Sequence, residues 1–503
     1  MSNLGASLAA GTKKIKGLRW YICGLLFFVT FINYADRVSL GAMAPLLKRE
    51  IGWDDAQFGW INFSFSLSYA LMFPFAGRFI DKVGVRTGLM LGVVVWSLSA
   101  MGHSFASTAL GFAIARFILG IGEATNFPAC VKAVAEWFPK RERSFATGIF
   151  NTGTNFGAML QGPIMAMAVF AGWQFAFIGI GLLGFVWLAA WLRFYRSPEE
   201  HPNLSAEEAD LIRSDQEPPA QTLNIPWPSL LRYREAWAFS LGKMLTDPVW
   251  WFYLIWLPSY LARERQVTLG SAAGALVVIY LAADVGSILG GWLPSYFIKR
   301  RGWTASRARL NTMLLFALGL PVSALGVMAE NLWTAVGLIS LAVFCHQAWS
   351  ANMFTVASDA FPKRAVGSVV GFGAMCGGIG GLFMNLISGG MLQWTGSYTP
   401  LFIFAGVMHP IAYVVIRALV GGKIKQVNLD EGLRTVFSPT LLFLGLALIV
   451  VGGALMVVFG LNWSYILSIT QNSSATAAAA VAGSGIILLL GLALAYASRE
   501  QRR

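Results

Sequence analysis

Charge is what this sequence has least of: Asp, Glu, Lys and Arg make up only 12% of its 503 residues, about half the share of an ordinary soluble protein. So few charges could not cover a soluble surface, and 56% of the residues are hydrophobic. Most of the outer face must meet lipid, so the chain reads as a polytopic membrane protein rather than a string of soluble domains. Cysteine and histidine are equally scarce, four of each. Cys23, Cys130, Cys345 and Cys376 all fall inside apolar runs with no ligand-like spacing, which argues against a disulfide framework or a zinc site. His103, His201, His346 and His409 form no metal-binding cluster, and no nucleophile–base pair stands out. An enzyme, a metal and a cofactor are therefore not expected. The net charge of +13 is no nucleic-acid footprint, because the basic residues come in short clusters between apolar runs.

Apolar stretches of membrane-crossing length, roughly 18 to 25 residues, lie near 18–40, 56–77, 87–106, 108–133, 144–169 and 172–194. Six more lie near 237–261, 270–297, 308–328, 332–356, 366–391 and 398–419, and a further two near 438–460 and 477–498. The run beginning at 18 is too long for a cleaved signal peptide and reads as the first span. With the N-terminus in the cytoplasm, 29 of the 37 Lys and Arg fall on the cytoplasmic side. Four (Lys48, Arg49, Arg263, Arg265) fall outside, and Arg37, Arg116, Lys132 and Lys243 lie within spans. That asymmetry orients the chain in an inner membrane with both termini cytoplasmic, which requires an even number of spans.

The expected organisation is a six-helix half over 1–196, a cytoplasmic linker over 197–236 and a second six-helix half over 237–420. Two additional helices and a basic tail occupy 421–503. The linker carries several prolines and one short amphipathic stretch near 205–213. The halves repeat at about 220 residues. Trp137-Phe138-Pro139-Lys140-Arg141 closes the fourth span and Phe361-Pro362-Lys363-Arg364 the tenth, each followed by a glycine-rich helix. Loop 77–86 recurs at 291–302. Two parallel six-span halves are the plan of a transporter, with its site between the halves near the midplane.

Gly77-Arg78-Phe79-Ile80-Asp81-Lys82-Val83-Gly84-Val85-Arg86 resembles the loop signature of the major facilitator superfamily, G-x-x-x-D-[RK]-x-G-x-[RK]. Asn33-Tyr34-Ala35-Asp36-Arg37 and the stretch 116–124 resemble the anion:cation symporter family within it. Stretches 245–251, 280–287 and 346–352 are similar to that family's hexuronate transporters. The resemblance covers about 18–420. It implies an all-α major facilitator fold of twelve helices in two halves, and implies no function for the two C-terminal helices. It also implies proton coupling at Asp36 and Glu123 and carboxylate binding at Arg37.

Charge within a bilayer is expensive, which makes each intramembrane ionisable residue a functional candidate. Arg116 and Glu123 are two turns apart on one face of span 4, about 10 Å from each other. Arg37 and Arg116 can hold an anion, and a planar guanidinium suits a carboxylate. Asp36 and Glu123 are the candidate proton carriers; the plainer alternative is two buried ion pairs locking spans 1 and 4. With Arg37 beside it in sequence, Asp36 is expected to be the paired acid and Glu123 the freer one. Tyr34, Tyr69, Asn151, Thr154, His346, Gln347, Trp349, Ser350 and Asn385 are candidate substrate contacts, with helix–helix hydrogen bonding as the alternative. Asn155 shares the face of Asn151 and Thr154. Gly77, Asp81, Arg86 and Asp247 are candidate gating residues: Asp81 can bind a helix end or an arginine of the other half, and Asp247 precedes Pro248, where span 7 is expected to break. Lys243 can pair with Asp247, one turn on, or with Asp284.

The reading is a proton-coupled symporter, a monomer in the bilayer, that takes a sugar-acid monocarboxylate by alternating access, hexuronate first and an aldonate such as galactonate second. The rivals are a sodium-coupled carrier of another organic anion, a drug exporter and a membrane sensor.

Overall fold

The structure, a computed structural model, describes residues 14–53, 55–214, 230–265, 269–427 and 429. The two helices expected near 438–460 and 477–498 lie outside these residues. Among the described residues sixteen α-helices follow one another. The first nine are α1 (Leu18–Ile51), α2 (Asp55–Val83), α3 (Val85–Gly102), α4 (Ala109–Glu123), α5 (Asn126–Trp137), α6 (Lys140–Ala158), α7 (Gln161–Ala171), α8 (Trp173–Phe194) and α9 (Ala206–Arg213). After the linker come α10 (Arg234–Glu264), α11 (Leu269–Arg301), α12 (Ala305–Gly319), α13 (Val322–Met328), α14 (Leu332–Ala360), α15 (Lys363–Thr395) and α16 (Thr399–Leu419). No strand forms among the described residues.

Several helices are two halves of one rod. Ala124 and Thr125 between α4 and α5, Met159 and Leu160 between α6 and α7, and Leu320 and Pro321 between α12 and α13 all keep helical backbone angles. With those three joins made and the linker helix α9 set aside, the described residues form twelve rods. Among the described residues, seven segments are long and apolar enough by length and composition to cross a membrane. The expected break at Pro248 does not occur, and α10 runs through it. The proline ring is received by a small-residue face on α15, where a Cβ on Gly380 would come within 2.9 Å of Pro248 Cγ. Tertiary packing sustains a helix across one missing hydrogen bond.

The polarity of the bundle is inverted relative to a soluble protein. Phe28, Trp60, Phe105, Phe170, Val186 and Trp333 are exposed, whereas Asp36, Arg116, Glu123, Asn155, Asp284 and His409 are buried. This is the arrangement lipid selects, with polar groups finding partners only inside. At several crossings the backbones touch, two of them at the repeated loop motif. A Cβ on Gly77 of α2 would lie 2.1 Å from the carbonyl oxygen of Gly367 on α15, and one on Gly291 of α11 would lie 2.2 Å from that of Ser144 on α6. Those two glycines open the two copies of the repeated loop motif.

The linker is tied to the start of the bundle. The Ser205 hydroxyl caps α9 by accepting from the Glu208 amide at 3.2 Å. The Glu208 carboxylate then accepts from the Leu18 and Arg19 amides at 2.9 and 3.2 Å, at the N-terminus of α1. A carboxylate there complements both the free N–H groups and the helix dipole.

Candidate functional site

The paired charges on α1 and α4 meet, in a different pairing from the one expected. Arg37 donates to Glu123 Oε2 through Nε at 3.2 Å and Nη2 at 2.9 Å, and Nη2 also reaches Asn33 Oδ1 at 3.4 Å. Asp36 is buried, and neither of its carboxyl oxygens has a hydrogen-bond partner among the described residues. The expectation that Asp36 takes the neighbouring arginine is therefore reversed. Consecutive residues on a helix project about 100° apart, so Arg37 faces α4 while Asp36 does not. Arg116 donates to the Arg37 carbonyl at 3.1 Å, and its Nε and Nη2 have no partner among the described residues. Aromatic rings complete the setting of Arg37, with Tyr69, Tyr34 and Phe65 centroids 4.3, 4.5 and 5.3 Å from its guanidinium carbon. Those ring faces favour a cation.

Arg37 stands at the junction of two spaces. The first, about 620 Å³, is lined on one wall by Tyr34, Arg37, Tyr69, Asn151 and Thr154. Lys243, Asp247, Trp250, Trp251, His346, Gln347 and Ser350 line the other. The second, about 2060 Å³, is reached past Arg37, Tyr69 and Trp251 and takes in Arg116 together with apolar residues such as Phe58, Phe63 and Phe383. The inner space is polar with aromatic faces and the outer one is largely apolar. Arg116 thus lines only the outer space.

Across the inner space the two groups of helices are joined by amides and hydroxyls. Asn151 on α6 donates to Gln347 Oε1 at 3.0 Å and to Ser287 Oγ at 3.2 Å. One turn away Asn155 donates to Asp284 Oδ1 at 2.7 Å. Thr154 donates to the Asn151 carbonyl on its own helix. Lys243 pairs with Asp247 at 2.8 Å, which leaves the Asn155 amide as the hydrogen-bond partner of Asp284. His346 Nδ1 lies 3.0 Å from His409 Nε2.

Two expected site residues point elsewhere, and a third side chain lies outside the described residues. Trp349 is fully buried, edge-on to His409 at 5.3 Å, and is not on the cavity wall. Trp250 and Trp251 supply the aromatic faces instead. Their signal was present in the sequence, since Lys243, Asp247, Trp250 and Trp251 fall at i, i+4, i+7 and i+8, one helical stripe. Asn385 lies in α15, but its side chain is outside the described residues. Arg86 turns to the Leu192 carbonyl at 2.8 Å and does not reach α15.

Beneath the cavity, on the side of loop 77–86, the bundle is shut. Asp81 accepts from the Gly367 amide at 3.1 Å, the Ser368 amide at 2.7 Å and the Ser368 hydroxyl at 2.6 Å, at the N-terminus of α15. Lys132 pairs with it at 2.9 Å. The second seam, between the start of α6 and the adjoining ends of α11, α12 and α14, is held by charges that the sequence reading did not single out. Glu142 accepts from Lys299 and from Arg19, both at 2.9 Å. Arg309 contacts Asp359 and Ser144 and donates to the Lys140 carbonyl at 2.7 Å. Arg143 donates to the Ser358 carbonyl at 2.6 Å. Burial opposes ionisation of Glu142, but the Lys299 hydrogen bond and the Arg19 charge outweigh it and hold the carboxyl below its ordinary range.

Comparison with known proteins agrees with this architecture. Residues 26–308 match the family model described as Major Facilitator Superfamily. The chain is 33% identical over 415 residues to the hexuronate transporter of Escherichia coli strain K12, covering 82% of this chain and 96% of that protein. It is 37% identical over 290 residues to the galacturonate transporter of Dickeya chrysanthemi, covering 57% of this chain and 84% of the relative. The solved proton:xylose symporter XylE superposes with a TM-score of 0.64 at 14% identity over 83% of this chain and 99% of its own, a likeness of fold alone. Twelve rods enclosing a charged cavity, a glycine–aspartate loop locked onto the opposite helix and a family model that spans more than half the chain lead to one assignment: this protein belongs to the major facilitator superfamily.

Proposed function

We propose that the protein imports a sugar-acid monocarboxylate, a hexuronate foremost, in symport with protons and by alternating access. The names of the two bacterial relatives support the substrate class, and the cavity supports it chemically. Asn151, Gln347 and Ser350 offer hydrogen bonds to hydroxyls, Trp250 and Trp251 offer apolar faces to a sugar ring, and Arg37 offers a fork to a carboxylate. The Lys and Arg asymmetry supports a cytoplasmic position for loop 77–86, so the closed side faces the cytoplasm and the outer space faces out.

One observation carries the coupling: Arg37 is held by Glu123 through a single carboxylate oxygen, at the point where both spaces meet. A substrate carboxylate entering from the outer space competes with Glu123 for the same guanidinium. When it wins, an ionised Glu123 would be left buried without its cation, a cost of several kcal/mol. Glu123 therefore takes up a proton as the anion docks. Asp36, with neither oxygen bonded, carries its proton in this state for the same reason. The loaded protein then presents few unpaired charges to the closing seam, which lets the halves rock. Release on the cytoplasmic side hydrates the acids, the protons leave, and Glu123 recaptures Arg37.

The test is uptake of labelled glucuronate, galacturonate and galactonate into vesicles under imposed pH or sodium gradients. Uphill accumulation of a hexuronate driven by the pH gradient is expected. Accumulation driven by sodium alone would overturn the proton coupling, and failure with all three acids would overturn the substrate class.

A further inference from the structure

Behind the cavity wall stands a second histidine that the transport scheme above does not use. His346 on α14 lines the inner space, and His409 on α16 is completely buried beyond it. Their rings meet through His346 Nδ1 and His409 Nε2 at 3.0 Å. Both ring planes are fixed by tryptophans. Trp250 stacks on His346 with centroids 5.6 Å apart and planes 8° from parallel, and Trp349 sits edge-on to His409 at 5.3 Å. Neither imidazole faces a carboxylate within ion-pair distance among the described residues, so both are neutral rings, each with one N–H and one lone pair.

A single proton occupies the shared bond, and its owner decides what the cavity meets. If His346 donated from Nδ1, His409 would carry its own proton on Nδ1, which is buried and has no partner among the described residues. An orphaned buried N–H is rarer than an under-satisfied acceptor. If His409 donates from Nε2 instead, its Nδ1 is only an unused lone pair. His346 then carries its proton on Nε2, the nitrogen left for the cavity once Nδ1 is turned to α16. We infer that His409 is a positioning residue that fixes the tautomer of His346, making His346 an N–H donor to an oxygen of the sugar acid. Selection follows from this: a donor locked in place favours substrates with a hydroxyl, ring or carboxylate oxygen at that point and disfavours analogues lacking it. The identity of the acceptor rests on the sugar-acid reading of the cavity; the tautomer does not.

Two measurements separate these. The first is nitrogen NMR of the full chain labelled with ¹⁵N-histidine, where only four histidines need assignment. Both His346 and His409 should be protonated on Nε2 alone, before any ligand is added. A His346 ring protonated on Nδ1, or doubly protonated, overturns the inference. The second is affinity for glucuronate. His409→Phe, which keeps a ring but removes the donor, should weaken binding about tenfold, the size of one aligned hydrogen bond, with the maximal transport rate unchanged. His409→Gln, whose amide can donate in place of Nε2, should stay within about threefold of wild type. Wild-type affinity in the Phe variant, or equal damage from Phe and Gln, reduces His409 to packing and overturns the positioning role. If the wild-type protein binds no sugar acid at all, the substrate reading fails while the spectra still decide the tautomer.

Discussion

Replacing Glu123 by Gln removes the internal rival of the substrate without altering the shape of the site. In the structure the carboxylate accepts two hydrogen bonds from a guanidinium, at 2.9 and 3.2 Å, with Glu123 fully buried. An amide oxygen can still accept from Arg37, but a neutral acceptor is about half as strong as a charged one. The internal hold on Arg37 should loosen by about 2 kcal/mol, or roughly thirtyfold in equilibrium terms. Sugar-acid affinity should therefore rise in Glu123→Gln at alkaline pH, under conditions where an ionised Glu123 would compete. At low pH the two proteins should converge, and the pH dependence of binding should be flatter in the variant. Calorimetry across pH reads this directly. The same variant should exchange internal for external substrate in vesicles, since loaded forms can alternate, yet fail to concentrate substrate under a pH gradient. Weaker binding at alkaline pH would refute the competition between Glu123 and the substrate. Wild-type uphill accumulation would move the coupling to Asp36 or Asp284.

Three further outcomes follow from the same geometry. Arg37→Ala should lose about 2–5 kcal/mol of binding, with Arg37→Lys only a partial rescue because a point charge lacks the fork; binding by the Ala variant within threefold of wild type in calorimetry would rule out Arg37 as the anchor. Asp81→Asn should leave affinity unchanged and slow transport about tenfold, the loss of one charge-assisted contact at the α15 N-terminus; a changed affinity with normal turnover would contradict its place in the seam. Glu142 has a depressed carboxyl in the closed form, so its contribution to closure is complete above the ordinary carboxylate range and disappears as pH falls through the lowered value. Spin-label distances between the ends of α6 and α11 on the loop 77–86 side should hold steady above the ordinary carboxylate range and lengthen only below it, and Glu142→Gln should abolish that transition. A change centred near neutral pH that survives in Glu142→Gln would assign the seam to another group.

Much of this molecule was legible because bilayer physics leaves few options. A charge within an apolar run has to face the interior, and Asp36, Arg37, Arg116 and Glu123 all do. The pairing among them was not legible. Sequence adjacency suggested Asp36 with Arg37, whereas helical projection separates those side chains and brings Arg37 to Glu123 on another helix. The tryptophans teach the same lesson in reverse: Trp349 lies on the polar stripe of its helix, yet its ring packs against His409 of α16, and Trp250 and Trp251 reach the cavity from α10. That Asp81 would meet a helix end of the other half was readable from its loop signature. The Glu142, Arg309 and Asp359 cluster was not, because the partners of each member lie far away in sequence and meet it only when the helices are brought together.

The contact of Gly77 with Gly367 has a mechanical meaning. Two backbones bear directly on each other there, with no side chain between them to change rotamer, so the joint behaves as a plain bearing on which α2 can pivot against α15 with little friction. A bearing with no clearance is also easily jammed. One methyl group at Gly77 would meet a carbonyl oxygen at 2.1 Å, and a backbone cannot swing aside as a side chain can. Gly77→Ala is thus a wedge: it should prop the cytoplasmic side ajar and yield a conformationally trapped protein with its cavity chemistry intact, a starting material for capturing the opposite end of the cycle.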